Sequence, residues 1–267
     1  MSNTHITSRD NSLLRQARAV RDGKVRDLIF VEGLRLCEEA LRSGLSIDAV
    51  IFSEQLAEKQ KAGAIIDEIR RASQRVGSVS EKLLESISYT KTPQGIVLLA
   101  QRPDSSQNVL NSTDEAPLLI VMHQLNNPVN VGAIIRTAEA AGATGAIATA
   151  NTADPLSPKS LRGAMGSAFR LPIWSGPSYA DVIQFCRERN IETVCADAAS
   201  DKLFTNLDWS TGHALIVGPE STGLSRDEIQ AADVSVQIPM QGLVESLNVS
   251  VAAGILLYEA ARQREKG

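Results

Sequence analysis

Three segments of the chain combine residue types that chemistry requires with spacings that simple packing does not. The first, His123-Gln124-Leu125-Asn126-Asn127-Pro128-Val129-Asn130-Val131-Gly132, sets turn-forming Asn and Pro before a helical stretch whose charged residues are Arg136 and Glu139. Asn130 can cap that helix. Arg136 stands among Ala, Ile and Thr, and reads either as a salt-bridged or snorkelling side chain or as a cation meant for a phosphate or an oxyanion. The second segment, Gly218-Pro219-Glu220-Ser221-Thr222-Gly223-Leu224, directly follows the apolar run ALIV. Its glycines permit positive φ and close backbone approach, as a loop packed on a flat ligand needs. Glu220 reads either as a ligand-facing group or as a carboxylate in the electropositive first turn of the next helix. The third segment runs from Ile238-Pro239-Met240 through Ser246-Leu247-Asn248 to Ala252. There Ser246 reads as a helix cap, and Ser250, Ala252, Ala253 and Gly254 as a tightly packing surface. Asn248 has poor helix propensity and favours a hydrogen-bonding role.

These loops need a frame. Apolar strand candidates at Leu118 to Met122, Gly145 to Ala150, Thr193 to Ala196, Ala214 to Val217 and Val234 to Ile238 alternate with helical stretches. The helical stretches are Val131 to Ala141, Tyr179 to Arg189, Ser225 to Ala231 and a final helix from about Ser246 to Arg262. Such alternation predicts an α/β fold with a mainly parallel sheet, whose ligands bind beyond the carboxyl ends of the strands, where all three loops begin. Before it lies a small αβ domain, with a helix from Leu34 to Leu41, a strand at Ala49 to Ser53, a helix near Ala57 to Ser73, a short helix opened by Ser80, and a buried strand at Gly95 to Ala100. The polar stretch Gln101 to Pro117 reads as a linker, giving domains at 1–100 and 118–267.

Composition narrows the function classes. With 43% hydrophobic and 22% charged residues the chain is globular, not disordered. No apolar run is long enough to span a bilayer and the N-terminus lacks a signal peptide, so a cytoplasmic protein is expected. Cys37, Cys186 and Cys195 form no CxxC pair, and His5, His123 and His213 lack ligand spacing, so neither a disulfide framework nor a metal is expected. Neither GxGxxG nor a Walker A pattern occurs, which counts against nicotinamide or triphosphate binding. The net charge is −4, yet the first hundred residues are slightly basic. Arg9, Arg15, Arg18, Arg21, Lys24 and Arg26 form either a phosphate-neutralising cluster or a solvated helix face. Aromatic content of 4% argues against extensive base stacking.

The segments NPVNVGAIIRTAEAAGA, IVGPESTGL and IPMQGLVESLNVSVAAGI, in this order, resemble the three motifs of the SpoU (TrmH) RNA 2′-O-ribose methyltransferases of the SPOUT superfamily. ITSRDNSLLRQAR, FVEGLRLCEEAL and TPQGIVLLA resemble the substrate-binding domain often attached to them. The resemblance implies a deep trefoil knot in the C-terminal domain, a small N-terminal αβ RNA-binding domain, and a homodimer. It implies S-adenosylmethionine bound between the second and third loops, around Gly218, Ile238 and Leu247. It implies catalytic roles for Asn130, Arg136, Glu220, Ser246 and Asn248. Arg136 then binds the neighbouring phosphate and stabilises the developing 2′-oxyanion, or serves as a base if deprotonated. The segment from Ser157 to Arg170 resembles the family's RNA cleft, with Lys159, Arg162 and Arg170 as phosphate contacts. Asn127, acidic in many relatives, and Pro219 depart from the pattern at positions outside the transferred set. The substrate implied is RNA, ribosomal before transfer RNA, and the rival reading is a noncatalytic RNA-binding or ribosome-assembly protein on the same scaffold.

Overall fold

The computed structural model describes residues 4–57, 60–111, 116–242, 244 and 246–265. The chain divides into two compact units, one formed by Met1–Pro103 with Leu156–Phe169 and the other by Asp104–Pro155 with Arg170–Gly267.

In the first unit, β1 (Thr4–Ile6), α1 (Ser12–Arg21), β2 (Leu28–Glu32), α2 (Leu34–Arg42), β3 (Ile47–Ser53), α3 (Glu54–Ala57), α4 (Gln60–Ala72), β4 (Arg75–Val79), α5 (Glu81–Glu85) and β5 (Ile96–Gln101) follow one another. The sheet order is β1-β4-β3-β5-β2, with β1, β4 and β3 parallel and β5 antiparallel to both its neighbours. Helix α1 forms because Leu13, Leu14, Ala17 and Val20 recur at helical spacing and bury one face, while Asn11 caps it by accepting from the Leu13 amide at 2.9 Å. In β2 the unbroken run Leu28–Val31 is buried on both faces. Glu32, at its end, is also buried, and its carboxylate accepts from the Tyr89 and Thr90 amides and the Thr90 hydroxyl. That satisfaction is what makes a buried carboxylate tolerable.

In the second unit come β6 (Leu118–Met122), α6 (Pro128–Ala140) and β7 (Gly145–Ala148), after which the chain forms α7 (Pro158–Ala164) and α8 (Ser167–Arg170) from the segment that clusters with the first unit up to Phe169. Then come β8 (Ile173–Ser175), α9 (Tyr179–Glu188), β9 (Glu192–Ala196), β10 (His213–Val217), α10 (Arg226–Ala231), β11 (Val234–Val236) and α11 (Val249–Arg264). The six strands are all parallel, in the order β11-β9-β10-β6-β7-β8. From β6 the chain builds outward through β7 and β8, then crosses to β9, returns to fill the place between β9 and β6 with β10, and ends at the far edge with β11. The β6–β10 pair is therefore the switch point, and a crevice opens beyond its carboxyl end. Leu119, Val121, Ala214 and Ile216 face a core shared with Trp174, Val182 and Phe185, and α6 and α11 pack together.

Two expectations change. The stretch from Gln101 to Pro117 is not a free linker: Gln101 ends β5, a 3₁₀ turn spans Gln107–Leu110, and Leu110 is buried in the second unit's core. Residues 112–115 of that stretch lie outside the described residues. The segment carrying α7 belongs with the first unit, not with the strands that flank it. Gly166, at φ +99°, lies so near the Glu39 side chain of α2 that a Cβ would sit 2.8 Å from it.

Candidate functional site

The loop after β6 turns on Asn127, not Asn130. Asn127 caps α6 by accepting from the Val129 amide at 3.0 Å, with Pro128 supplying the preset φ of the first helical position. Asn130, one turn inside the helix and buried, is thereby left to bond outward. Its Nδ2 donates to Glu220 Oε1 at 3.1 Å, and its Oδ1 accepts from Asn248 Nδ2 at 3.4 Å. Asn248, not Ser246, caps the last helix, its Oδ1 accepting from the Ser250 amide at 2.9 Å and the Ser250 hydroxyl at 2.6 Å. One amide relay, Glu220 to Asn130 to Asn248, thus ties the three loops together.

The relay borders a cavity of about 770 Å³ at the carboxyl ends of β9, β10 and β11. Ala196, Val217, Leu224, Ile238, Met240 and Leu247 supply apolar wall, and Asn130, Asp197, Gly218, Glu220, Ser246 and Asn248 line the same space. Gly218 is there by necessity: a Cβ would stand 2.8 Å from the Leu224 side chain and 2.9 Å from its amide nitrogen. The loop it opens is closed by the Gly223 amide donating to the Pro219 carbonyl.

Both ends of that loop are pinned. The His123 amide donates to the Val217 carbonyl, and buried His123 meets Glu228 through Nε2 at 2.8 Å and Thr149 through Nδ1 at 3.0 Å. Glu228 closes a capping box with Ser225, and its carbonyl accepts from the Tyr179 hydroxyl. Partial burial pushes the Glu228 carboxyl up, but the Ser225 and His123 hydrogen bonds outweigh it and hold the group below its ordinary value. Tyr179 is pushed well above the usual phenol range, first by burial.

The sequence-predicted residues divide accordingly. Asn130, Glu220, Ser246, Asn248, Gly218, Ile238 and Leu247 converge on the cavity. Arg136 does not line it; it is exposed on α6, and among the described residues no hydrogen bond or ion pair holds its guanidinium. Arg9 and Arg15 are exposed, as are Lys159 and Arg162 on α7. Arg18 instead donates to the Arg9 carbonyl, and Arg21 pairs with Asp22 while donating to the Ser88 carbonyl at 3.2 Å. Arg170 makes a two-pronged bond to Glu139 on α6, at 2.6 and 3.0 Å. Asp197 went unremarked in the sequence; its position just past a parallel strand was the signal for it.

All three cysteines are buried, burial pushing Cys195 up to about 11 and Cys186 up to about 12. Among the described residues no group of His, Cys, Asp and Glu is arranged to hold a metal, and no helix is long and apolar enough to cross a membrane. Among the described residues no His, Cys or Lys lines the cavity. Its chemistry is therefore positioning and hydrogen bonding around an apolar slot that fits a flat heterocycle, with carboxylates at hand for a cationic group.

Comparison with known proteins fits this geometry. Residues 117–258 match the SpoU rRNA Methylase family, and residues 30–106 match the family described as RNA 2'-O ribose methyltransferase substrate binding. The chain is 31% identical to the 23S rRNA (guanosine-2'-O-)-methyltransferase RlmB of Bordetella pertussis, over 80% of this chain and 89% of that one. It is 30% identical to the 23S rRNA (uridine(2479)-2'-O)-methyltransferase of Streptomyces viridochromogenes, over 89% and 84%. The crystal structure of the AdoMet-bound rRNA methyltransferase from Sinorhizobium meliloti superposes with a TM-score of 0.85 at 29% identity, covering 97% of each chain.

Proposed function

The chain belongs to the SpoU rRNA Methylase family, and from that premise we propose that it transfers the methyl group of S-adenosylmethionine to a ribose 2′-hydroxyl of ribosomal RNA. The observation that carries this reading is the cavity at the switch point, walled by the second and third loops and joined to the first by the Glu220–Asn130–Asn248 relay. The residues fit the cofactor: Ile238, Leu247 and the close-packed loop at Gly218 offer an adenine apolar walls, and Glu220 and Asp197 offer its cationic end carboxylates. Bound there, S-adenosylmethionine supplies a methyl carbon already activated by a sulfonium.

What remains for the protein is alignment and charge. Methyl transfer is an in-line displacement in which the O–C bond forms as the C–S bond breaks and the sulfur keeps the electron pair, so the 2′-oxygen must be held behind the methyl carbon while its proton passes to solvent water. Asn130 and Glu220 fix the first loop against the second, and Asn248 with Ser246 fixes the third. Arg136, exposed and unengaged, binds the neighbouring phosphate and stabilises the developing 2′-oxyanion. A guanidinium, which carries no acceptor lone pair, suits that role better than proton acceptance.

The first unit with Lys159 and Arg162 grips the RNA, and the second performs the transfer. The reading includes the deep trefoil knot and a cytoplasmic homodimer. In support of the dimer, Val251 and Tyr258 on α11 and Val129 on α6 are large apolar side chains about half exposed. The test is transfer of methyl label from S-adenosylmethionine to total RNA from cells lacking the gene, with digestion to nucleosides. A labelled 2′-O-methylnucleoside in the 23S fraction is expected; label on a base, or none beside measurable cofactor binding, overturns the reading.

A further inference from the structure

The first unit carries a cleft that the transfer reaction does not account for. It has a volume of about 480 Å³, within the range of small-ligand sites, and lies between the turn after β1 and helix α5. Ile6 and Leu83 give it an apolar floor, Arg9 and Lys82 bring two cations, and His5 and Ser86 stand at its edge. Glu81 and Glu85, on the same short helix as Lys82, do not line it, and among the described residues no carboxylate does. Glu54, which does not line the cleft, pairs with His5 at 2.9 Å; an apolar floor with two cations and no carboxylate in its lining matches a base joined to phosphate.

Beside it runs a loop held with unusual care. Arg21 donates to the carbonyls of Ser86 and Ser88 at 3.5 and 3.2 Å, spending a cation of the basic cluster on backbone. From the other side, buried Glu32 takes the Tyr89 amide at 2.9 Å, the Thr90 amide at 3.2 Å and the Thr90 hydroxyl at 2.8 Å. Two charged side chains therefore hold the backbone of four residues between Ser86 and Thr90, and what they hold presents Tyr89 and Lys91 to solvent. Tyr89 is 43% exposed, and no other large hydrophobic side chain described in this unit is so exposed. An aromatic ring that is both exposed and rigidly backed wastes apolar area unless something stacks on it. Ser86, which lines the cleft, is three residues from Tyr89, so their Cα atoms lie within about 11 Å, the reach of one or two nucleotides.

Resting on the ribosomal RNA reading above, the geometry points to a single-strand contact: the cleft takes one unpaired nucleotide of the RNA, its phosphate on Arg9 and Lys82, and Tyr89 stacks an adjacent base with Lys91 on the following phosphate. Sequence-specific RNA binding commonly uses such splayed bases on aromatic platforms. Arg21 and Glu32 are positioning residues for that platform and do not touch the RNA.

The test uses the full-length protein and a fluorescein-labelled single-stranded RNA hexanucleotide, with S-adenosylmethionine binding measured in parallel. Tyr89→Ala and the double variant Arg9→Ala/Lys82→Ala are each expected to weaken hexanucleotide binding between about fivefold and a hundredfold. Tyr89→Phe should stay within about twofold of wild type, since the ring and not the hydroxyl stacks, and Arg42→Ala on α2 should change nothing. The double variant should also flatten the salt dependence, at about 0.7 of slope for each phosphate it no longer neutralises. Cofactor affinity should be unaltered throughout. Wild-type RNA binding by Tyr89→Ala, or by the double variant, overturns the inference, and so does a loss in Tyr89→Phe equal to that in Tyr89→Ala. Hexanucleotide binding that responds as expected in a protein that methylates no RNA would overturn the reaction and leave this surface standing.

Discussion

Arg136 and Gly218 are the two single residues whose replacement separates chemistry from binding. Arg136 is exposed and, among the described residues, lines no wall of the cavity and holds no neighbour, so losing its side chain opens no hole in the fold. Arg136→Ala is expected to reduce turnover by a factor of about 10² to 10³, the usual effect of removing one group that stabilises developing charge, with cofactor affinity within about twofold. Single-turnover methylation and calorimetric titration of S-adenosylmethionine decide this; turnover within a few-fold of wild type would remove Arg136 from the mechanism. Gly218→Ala should behave in the opposite way. Its new Cβ meets Leu224 and the backbone beside it below 3.0 Å, so the loop must shift. Overpacking of this kind costs about 1–3 kcal/mol, and here it falls on the cavity wall. The same titration should show affinity down by about tenfold or more; unchanged affinity would mean the loop does not bound the cofactor.

At the scale of elements, α10 is the brace of the second loop, and Glu228 is its joint. Its carboxylate serves the Ser225 cap and His123 together, and its folded-state value lies below the ordinary one. A depressed carboxyl stabilises the fold above its unfolded value, about 4.5, and that contribution is lost as pH falls through the folded value. Glu228→Gln should therefore lower the thermal midpoint relative to wild type at pH 7, and the gap should narrow as pH falls below about 4.5. A gap independent of pH would show that the carboxylate's charge does not hold the joint. The helices themselves were largely legible. Ser178 and Ser225 precede acidic residues three positions on, and both form capping boxes. The caps of the two helices at the site were not legible, because Asn127 and Asn130, like Ser246 and Asn248, are equally good caps by type. Only the fold decides which amide faces a loop 90 residues away. Strands β1 and β8, of three residues each, carry too little pattern to read, whereas the apolar run of β2 carried one that went unread.

At the scale of the molecule, the chain order misleads about which residues act together. The segment from Leu156 to Phe169 interrupts the parallel sheet in sequence, yet its compact unit is the N-terminal one. Reading along the chain assigns Lys159 and Arg162 to the transfer domain, because local pattern carries no information about a return across 120 residues. Arg9, Arg15, Lys159 and Arg162 are thus four exposed cations of one unit, in a protein whose net charge is −4. Arg18 and Arg21, equal to them by composition, are bound to backbone carbonyls. This separates a fold effect from a binding effect within one cluster. Reversing the four exposed cations to Glu should leave the thermal midpoint nearly unchanged. RNA affinity should fall steeply at low salt, and the salt dependence should flatten by about 0.7 to 0.9 for each phosphate left without its cation. Reversing Arg18 and Arg21 instead should lower the midpoint by several degrees, since carbonyls paired with guanidinium would face carboxylate. An unchanged salt slope in the first variant would make these cations a solvated face, and the grip on RNA would then have to come from the unit that carries the cofactor.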